Sequence, residues 1–272
     1  MTRDGSESGG LSVRLARDLI SEIERASERT GKTLSEVIEQ ALRFFLLDRR
    51  NVNSIYLSAP VNAMMKGLYE QDMTMGELKK HGNFGLGTFN GLDGEMAMLD
   101  GKIYQLKDDS YTYDVPDSAR TPFACVTFFA PETTDEIEEE MDYGAFFALL
   151  DRLLPSRNML YAIRVEAFFR EVKVWSVRKQ ENHAPVPDES GAQPSFELRD
   201  VEGTLAGFYT PSFIRMLNMP GYHLHFLTSG RDRGGHLKEC RVTGARIDIQ
   251  HVARLKMDLP MTLDYLTSNL SR

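Results

Sequence analysis

The sequence predicts a mixed, β-rich α/β fold in two pieces, a short strand–helix–helix module within residues 1–50 and a larger body over residues 53–272. Three observations carry that expectation. One alternating run near the N-terminus is followed by two amphipathic helical periods. Beyond Gly82 the texture changes to short β-type runs broken by glycines, with one helical stretch among them. The length of 272 residues and a hydrophobic content of 42% suit two unequal domains with a real core, and 26% charged residues argues against disorder.

The first piece is justified element by element. Leu11-Ser12-Val13-Arg14-Leu15 alternates apolar and polar side chains, as a half-buried strand does. A helix is expected over residues 17–30, with Leu19, Ile20, Ile23 and Ala26 on one side, and Gly31 suits its left-handed end. Thr33-Leu34-Ser35-Glu36 reads as a capping box that opens a second helix running to about Asp48. Its apolar positions are Leu34, Val37, Ile38, Ala41, Leu42, Phe45 and Leu46. Roughly 40 residues cannot bury enough surface alone, so a dimer with paired strands and four packed helices is expected. Over residues 11–48 this pattern resembles the ribbon-helix-helix DNA-binding family. The resemblance implies a strand pair in the major groove with Ser12 and Arg14 outward, and the start of the second helix, Thr33 to Ser35, against a phosphate. Residues 1–50 hold nine Arg/Lys and nine Asp/Glu. That neutrality keeps open a second reading, a dimerisation module without DNA contact.

Residues 49–57 read as a linker. In the body, 64–70 is expected to be helical, and 84–90, 95–99, 102–106 and 123–129 to be strands; 161–177 supplies one or two more. The stretch 134–154 is expected to be helical, with Glu136, Glu138, Glu139 and Glu140 on a solvated face. Residues 180–195 contain three prolines and form a loop.

Composition excludes several classes. No apolar run approaches the ~20 residues that cross a bilayer, and the polar first ten residues lack a signal-peptide core, so a cytoplasmic location is expected. Cys125 and Cys240 read as reduced, buried thiols, and so small a number rules out a Cys-rich zinc site. The body carries the whole net charge of −8, which argues against broad nucleic-acid binding.

Chemistry concentrates at Gly221-Tyr222-His223-Leu224-His225-Phe226 and the glycine-rich turn leading to His236. On a strand, residues i and i+2 share a face, so His223 and His225 aim two imidazoles at one point while Tyr222, Leu224 and Phe226 face away. Three histidines suit zinc and leave a fourth position open; manganese, iron or cobalt could take the same ligands. The other reading is a set of hydrogen-bonded core histidines. His81, His183 and His251 are scattered and receive no role.

The run from Gly82 to Glu95 through Gly85-Leu86-Gly87-Thr88-Phe89-Asn90-Gly91, the segments Leu154-Pro155-Ser156-Arg157-Asn158 and Tyr161-Ala162-Ile163-Arg164, and the histidine region to Gly234-Gly235-His236 are similar in order and type to the alpha-acetolactate decarboxylase family, over about residues 53–272. The resemblance implies a two-part mixed sheet/barrel domain, a homodimer or higher homo-oligomer, and zinc held by His223, His225 and His236. It implies decarboxylation of 2-acetolactate, a 2-hydroxy-3-oxo acid, to acetoin and carbon dioxide, with Glu95 supplying the proton and Thr88 nearby in the pocket. Arg164, Arg231 and the position of Trp175 are expected to meet substrate. Two departures stand out. Where the family resembled has an arginine eleven residues after the one matched by Arg164, this chain has Trp175, which cannot pair bidentately with a carboxylate. The sequence ends at Asn269-Leu270-Ser271-Arg272, so nothing corresponds to a tail that returns a glutamate to the metal. These departures define an alternative, a metal- or metabolite-sensing domain driving a ribbon-helix-helix DNA reader.

Overall fold

A computed structural model describes residues 13–47, 53–184 and 193–270. The chain divides into two compact units, 1–42 and 43–272. In the first unit, helix α1 (Arg17–Thr30) ends where Gly31, at φ 72°, donates its N–H to the Ser27 carbonyl. Helix α2 (Leu34–Leu47) opens on the expected capping box: the Glu36 carboxylate accepts from the Thr33 amide at 2.6 Å and the Thr33 hydroxyl at 2.7 Å, and the Glu36 amide donates back to that hydroxyl at 3.3 Å. No residue of α1 is buried. Leu19, Ile20, Leu34 and Leu42 are all exposed, an apolar face that a lone helix pair leaves in water. Of the expected ribbon, Leu11 and Ser12 lie outside the described residues, and residues 13–15 are in no strand. A ribbon strand gains its hydrogen bonds only from a second strand, and a single module holds one.

The second unit contains two sheets. Strands β1 (Ser54–Leu57), β2 (Phe84–Thr88), β3 (Glu95–Leu99), β4 (Lys102–Leu106), β5 (Thr112–Asp114), β6 (Ala124–Thr127) and β12 (Arg254–Met257) form a seven-stranded sheet in the order β12-β1-β6-β2-β3-β4-β5. Only the β1–β12 pair is parallel, so the sheet is mixed. Strands β7 (Thr133–Ile137), β8 (Leu160–Trp175), β9 (Ser195–Thr210), β10 (Gly221–Thr228) and β11 (Gly234–Val252) form an antiparallel sheet in the order β10-β9-β8-β11-β7. β10 also pairs with β11, so four strands close into a barrel and β7 extends its edge. Helices α3 (Val61–Met65), α4 (Met75–Leu78), α5 (Tyr143–Leu153) and α6 (Leu263–Thr267) complete the unit.

Alternation along the long strands places two cores. Tyr161, Ile163, Val165 and Phe169 of β8 join Leu224, Phe226, Ile247 and Ile249, with Phe146 and Leu150 of α5, in one cluster. The opposite face of the barrel strands, Ala162, Ala206, Phe208 and Leu227, packs against Leu86, Ala97 and Leu106 of the mixed sheet. The candidate ligands His223, His225 and His236, with Glu95, lie at this second seam. Both cysteines are free and buried, as expected.

Three sequence expectations need correction. Residues 134–154 are not one helix: 133–137 form β7, paired with β11, and α5 begins only after Asp142 caps the Ala145 amide at 2.9 Å. Pairing with β11 fills an open sheet edge, and the β-branched Thr133, Thr134 and Ile137 suit the strand, so the helical preference of Glu136 is overridden. Glu136, Glu138, Glu139 and Glu140 are exposed, but not on a helix. The proposed linker 49–57 contains β1, whose Ile55, Tyr56 and Leu57 are buried. The helix expected at 64–70 sits earlier, at α3, which Gly67 with φ 85° follows.

Candidate metal centre at the sheet–barrel seam

His223 and His225 lie on β10, two residues apart and on the barrel face turned to the mixed sheet, while Leu224 and Phe226 enter the barrel core. His236, near the start of β11, stands directly across from His225 in the ladder. The three rings therefore converge. Their centroids are 4.9–5.3 Å apart, and one nitrogen from each lies within 4.8 Å of the others. Ligands about 2.05 Å from a tetrahedral ion would be about 3.3 Å apart, so small side-chain rotations close the set.

The donor chemistry suits a cation. His225 is fully buried, and His223 and His236 are half-buried. The Nδ1 of His225 is 2.8 Å from the Met96 carbonyl. A carbonyl can only accept, so Nδ1 carries the proton and Nε2 presents its lone pair to the cluster. That Nε2 and the Nδ1 of His223 are buried with no hydrogen-bond partner among the described residues. Burial pushes the pKa of His225 down to about 4, although the Met96 hydrogen bond opposes the shift. Burial, and then the neighbouring His225, takes His236 to about 3. His223 is driven well below the ordinary range by burial, then by His236 and His225. All three are neutral imidazoles near neutral pH, the state that binds metal.

Glu95 begins β3, on the same face as Ala97 and Leu99, and aims at the seam. Its carboxylate is nearly buried, 3.6 Å from the Nε2 of His225. Thr88 pairs with Glu95 across the β2–β3 ladder, and its hydroxyl donates to the Gly94 carbonyl at 2.6 Å. Gly94 has φ 86°, and a Cβ there would stand 2.5 Å from the Leu106 carbonyl oxygen, so the turn that delivers Glu95 requires glycine. Trp175 lies over His236, with centroids 4.8 Å apart.

The two arginines lie elsewhere. Arg164 is tied to Asp100 at 3.0 Å and to Glu166. Arg231 adopts φ 58° at the β10–β11 turn, donates to the Thr204 hydroxyl at 3.3 Å, and lines a groove with Glu166, Glu202 and Ser229. Neither is brought to the histidine cluster by any contact among the described residues. The Met96 carbonyl had no signal in the sequence, because it acts through the main chain. His251 is buried against Glu132, its Nδ1 3.3 Å from the carboxylate, at the opposite end of β11 from His236.

Comparison with known proteins bears on the same residues. The family model described as Alpha-acetolactate decarboxylase matches residues 55–272, and that described as Ribbon-helix-helix protein, copG family, matches residues 11–49. An alpha-acetolactate decarboxylase of Methylococcus capsulatus is 40% identical over 221 residues, 81% of this chain and 85% of that protein. One from Bacillus subtilis strain 168 is 36% identical, covering 80% of this chain and 86% of its own length. A crystal structure of alpha-acetolactate decarboxylase from that strain superposes with a TM-score of 0.76 over 80% of this chain and 94% of the other. With the sheet-plus-barrel fold, the three converging imidazoles and a match across most of its length, this chain belongs to the alpha-acetolactate decarboxylase family.

Proposed function

We propose that the body decarboxylates 2-acetolactate to acetoin and carbon dioxide with a zinc ion held by His223, His225 and His236. The observation that carries this reading is the convergence of three neutral imidazoles beside the nearly buried carboxyl of Glu95. When bound, the cation supplies Lewis acidity, polarising the substrate's carbonyl. The chain's own groups do the rest. Loss of carbon dioxide leaves an electron pair on C2, delocalised toward the neighbouring ketone oxygen, and a proton must return to that carbon. Glu95, in its protonated form, is the group placed to deliver it. Thr88 has given its hydrogen to the Gly94 carbonyl, so its part is to hold the Glu95 turn. Arg164 and Arg231 are engaged elsewhere and are assigned no contact with substrate. The test is acetoin formation by zinc-loaded protein, with metal content measured in parallel. A rate no higher than that of His223→Ala would end the proposal.

The match over residues 11–49 and the exposed Leu19, Ile20, Leu34 and Leu42 favour a second role for the N-terminal unit. We infer that it pairs with a second copy, making the protein a homodimer. DNA reading through Ser12, Arg14, Thr33 and Ser35 is the further step. Against it, the Glu36 carboxylate already occupies the Thr33 donors at the start of α2, where a phosphate would sit. Salt-sensitive, sequence-preferring DNA binding that is lost in Arg14→Ala would establish that step; its absence would leave dimerisation alone.

A further inference from the structure

Trp175 is the chain's single tryptophan. It ends β8 and stands across from His236 in the β8–β11 register. Cross-strand partners share a face, and the indole lies 4.8 Å from the imidazole centroid at a tilt of 40°. The indole is itself anchored, packing against the cluster of Tyr69, Leu92 and Val177. That cluster is pinned by main-chain bonds: the Gly91 amide donates to the Tyr69 carbonyl at 2.9 Å, and the Gly91 carbonyl accepts from the Gln180 amide at 2.6 Å.

The histidines differ in what orients them. His225 is locked by the Met96 carbonyl, the usual arrangement for a metal-bound imidazole, whose second nitrogen finds a hydrogen-bond partner. Among the described residues no hydrogen bond orients His236; its neighbours are the other two rings and Trp175. An imidazole turns easily about its outer side-chain torsion. A flat, anchored ring against one face removes much of that freedom.

We propose that Trp175 is a positioning residue, bracing the His236 ring toward the cation in place of an orienting hydrogen bond. This rests on the reading of the triad as a metal centre. The indole touches a ligand rather than the reacting atoms, so its effect falls first on metal affinity. Loss of such an outer partner typically weakens metal binding by about 10- to 100-fold.

The test uses the full-length protein, freed of metal by chelation and titrated with Co2+, whose visible absorption reports ligand geometry without turnover. Wild type should take up one Co2+ per chain and quench the Trp175 fluorescence in step. Trp175→Ala should bind Co2+ at least about tenfold more weakly with an altered spectrum, and Trp175→Phe should recover most of the affinity. Trp175→Leu keeps apolar bulk without a ring, guards against a folding defect in the alanine variant, and should resemble it in affinity. Wild-type affinity and spectrum in folded Trp175→Leu would overturn the bracing role while leaving the metal centre intact. Failure of wild-type protein to take up Co2+ would overturn the metal reading and this proposal with it.

Discussion

Acidifying the metal-free protein should destabilise it through its own ligand set. His225 is completely buried, and its pKa falls from 6.5 to about 4. The unfolded chain takes up the proton at the ordinary value, so below 6.5 it binds more protons than the folded chain, and stability falls as pH falls until the folded pKa is reached. Between pH 7.5 and 5.5 one such histidine costs about 1.3 kcal/mol by linkage. His236 is depressed further, to about 3, so these two together cost about 2.6 kcal/mol, a large share of the roughly 5–15 kcal/mol that holds a domain folded, and burial shifts His223 in the same direction. The assay is denaturant unfolding of chelated protein at the two pH values, beside His236→Gln. The variant should lose about 1.3 kcal/mol less on acidification, because one proton uptake is gone. Zinc-loaded protein should hold its stability to lower pH, since protons must then displace the ion. Equal acid sensitivity of wild type and His236→Gln would refute the reasoning.

Three further outcomes follow from geometry. Glu95→Gln keeps size and shape but removes the transferable proton; acetoin formation should fall about 100-fold or more with metal content unchanged, as read by rate assay and metal analysis together. Gly207→Ala would put a Cβ 2.0 Å from the His223 carbonyl oxygen and 2.9 Å from Leu86. It should destabilise the second unit by at least about 1–3 kcal/mol in denaturant titration, because the ladder has to separate to admit it. Asp142→Ala removes the cap on α5 and should cost about 1 kcal/mol in the same measurement, with acetoin formation unchanged.

The site and the fold were legible to different depths. His223 and His225 could be placed on one face by their spacing alone, since a strand alternates with period two, and the glycines before His236 marked the return of the chain. Thr33 and Glu36 announced the start of α2 because a capping box is local. The errors arose where a distant partner decides. The glutamates between 136 and 140 favour helix by propensity, yet β11 offers an unpaired edge and 133–137 joins it as β7. Ile55, Tyr56 and Leu57 lie in a stretch whose polar flank reads as linker, but β6 and β12 claim it on both sides. The partner of Arg164, Asp100, is likewise brought alongside only by folding.

From the sequence alone came the division into two pieces, the candidate ligands and the candidate carboxylate Glu95, because those depend on residue type and short spacing. Tertiary structure decided which face of β10 meets the mixed sheet, that a main-chain carbonyl of β3 sets the tautomer of His225, and that Trp175 rests on His236. Each of those is a contact between strands far apart in the chain. The energy that selects such a contact comes from burial and register across the whole seam, and no local run of residues contains it.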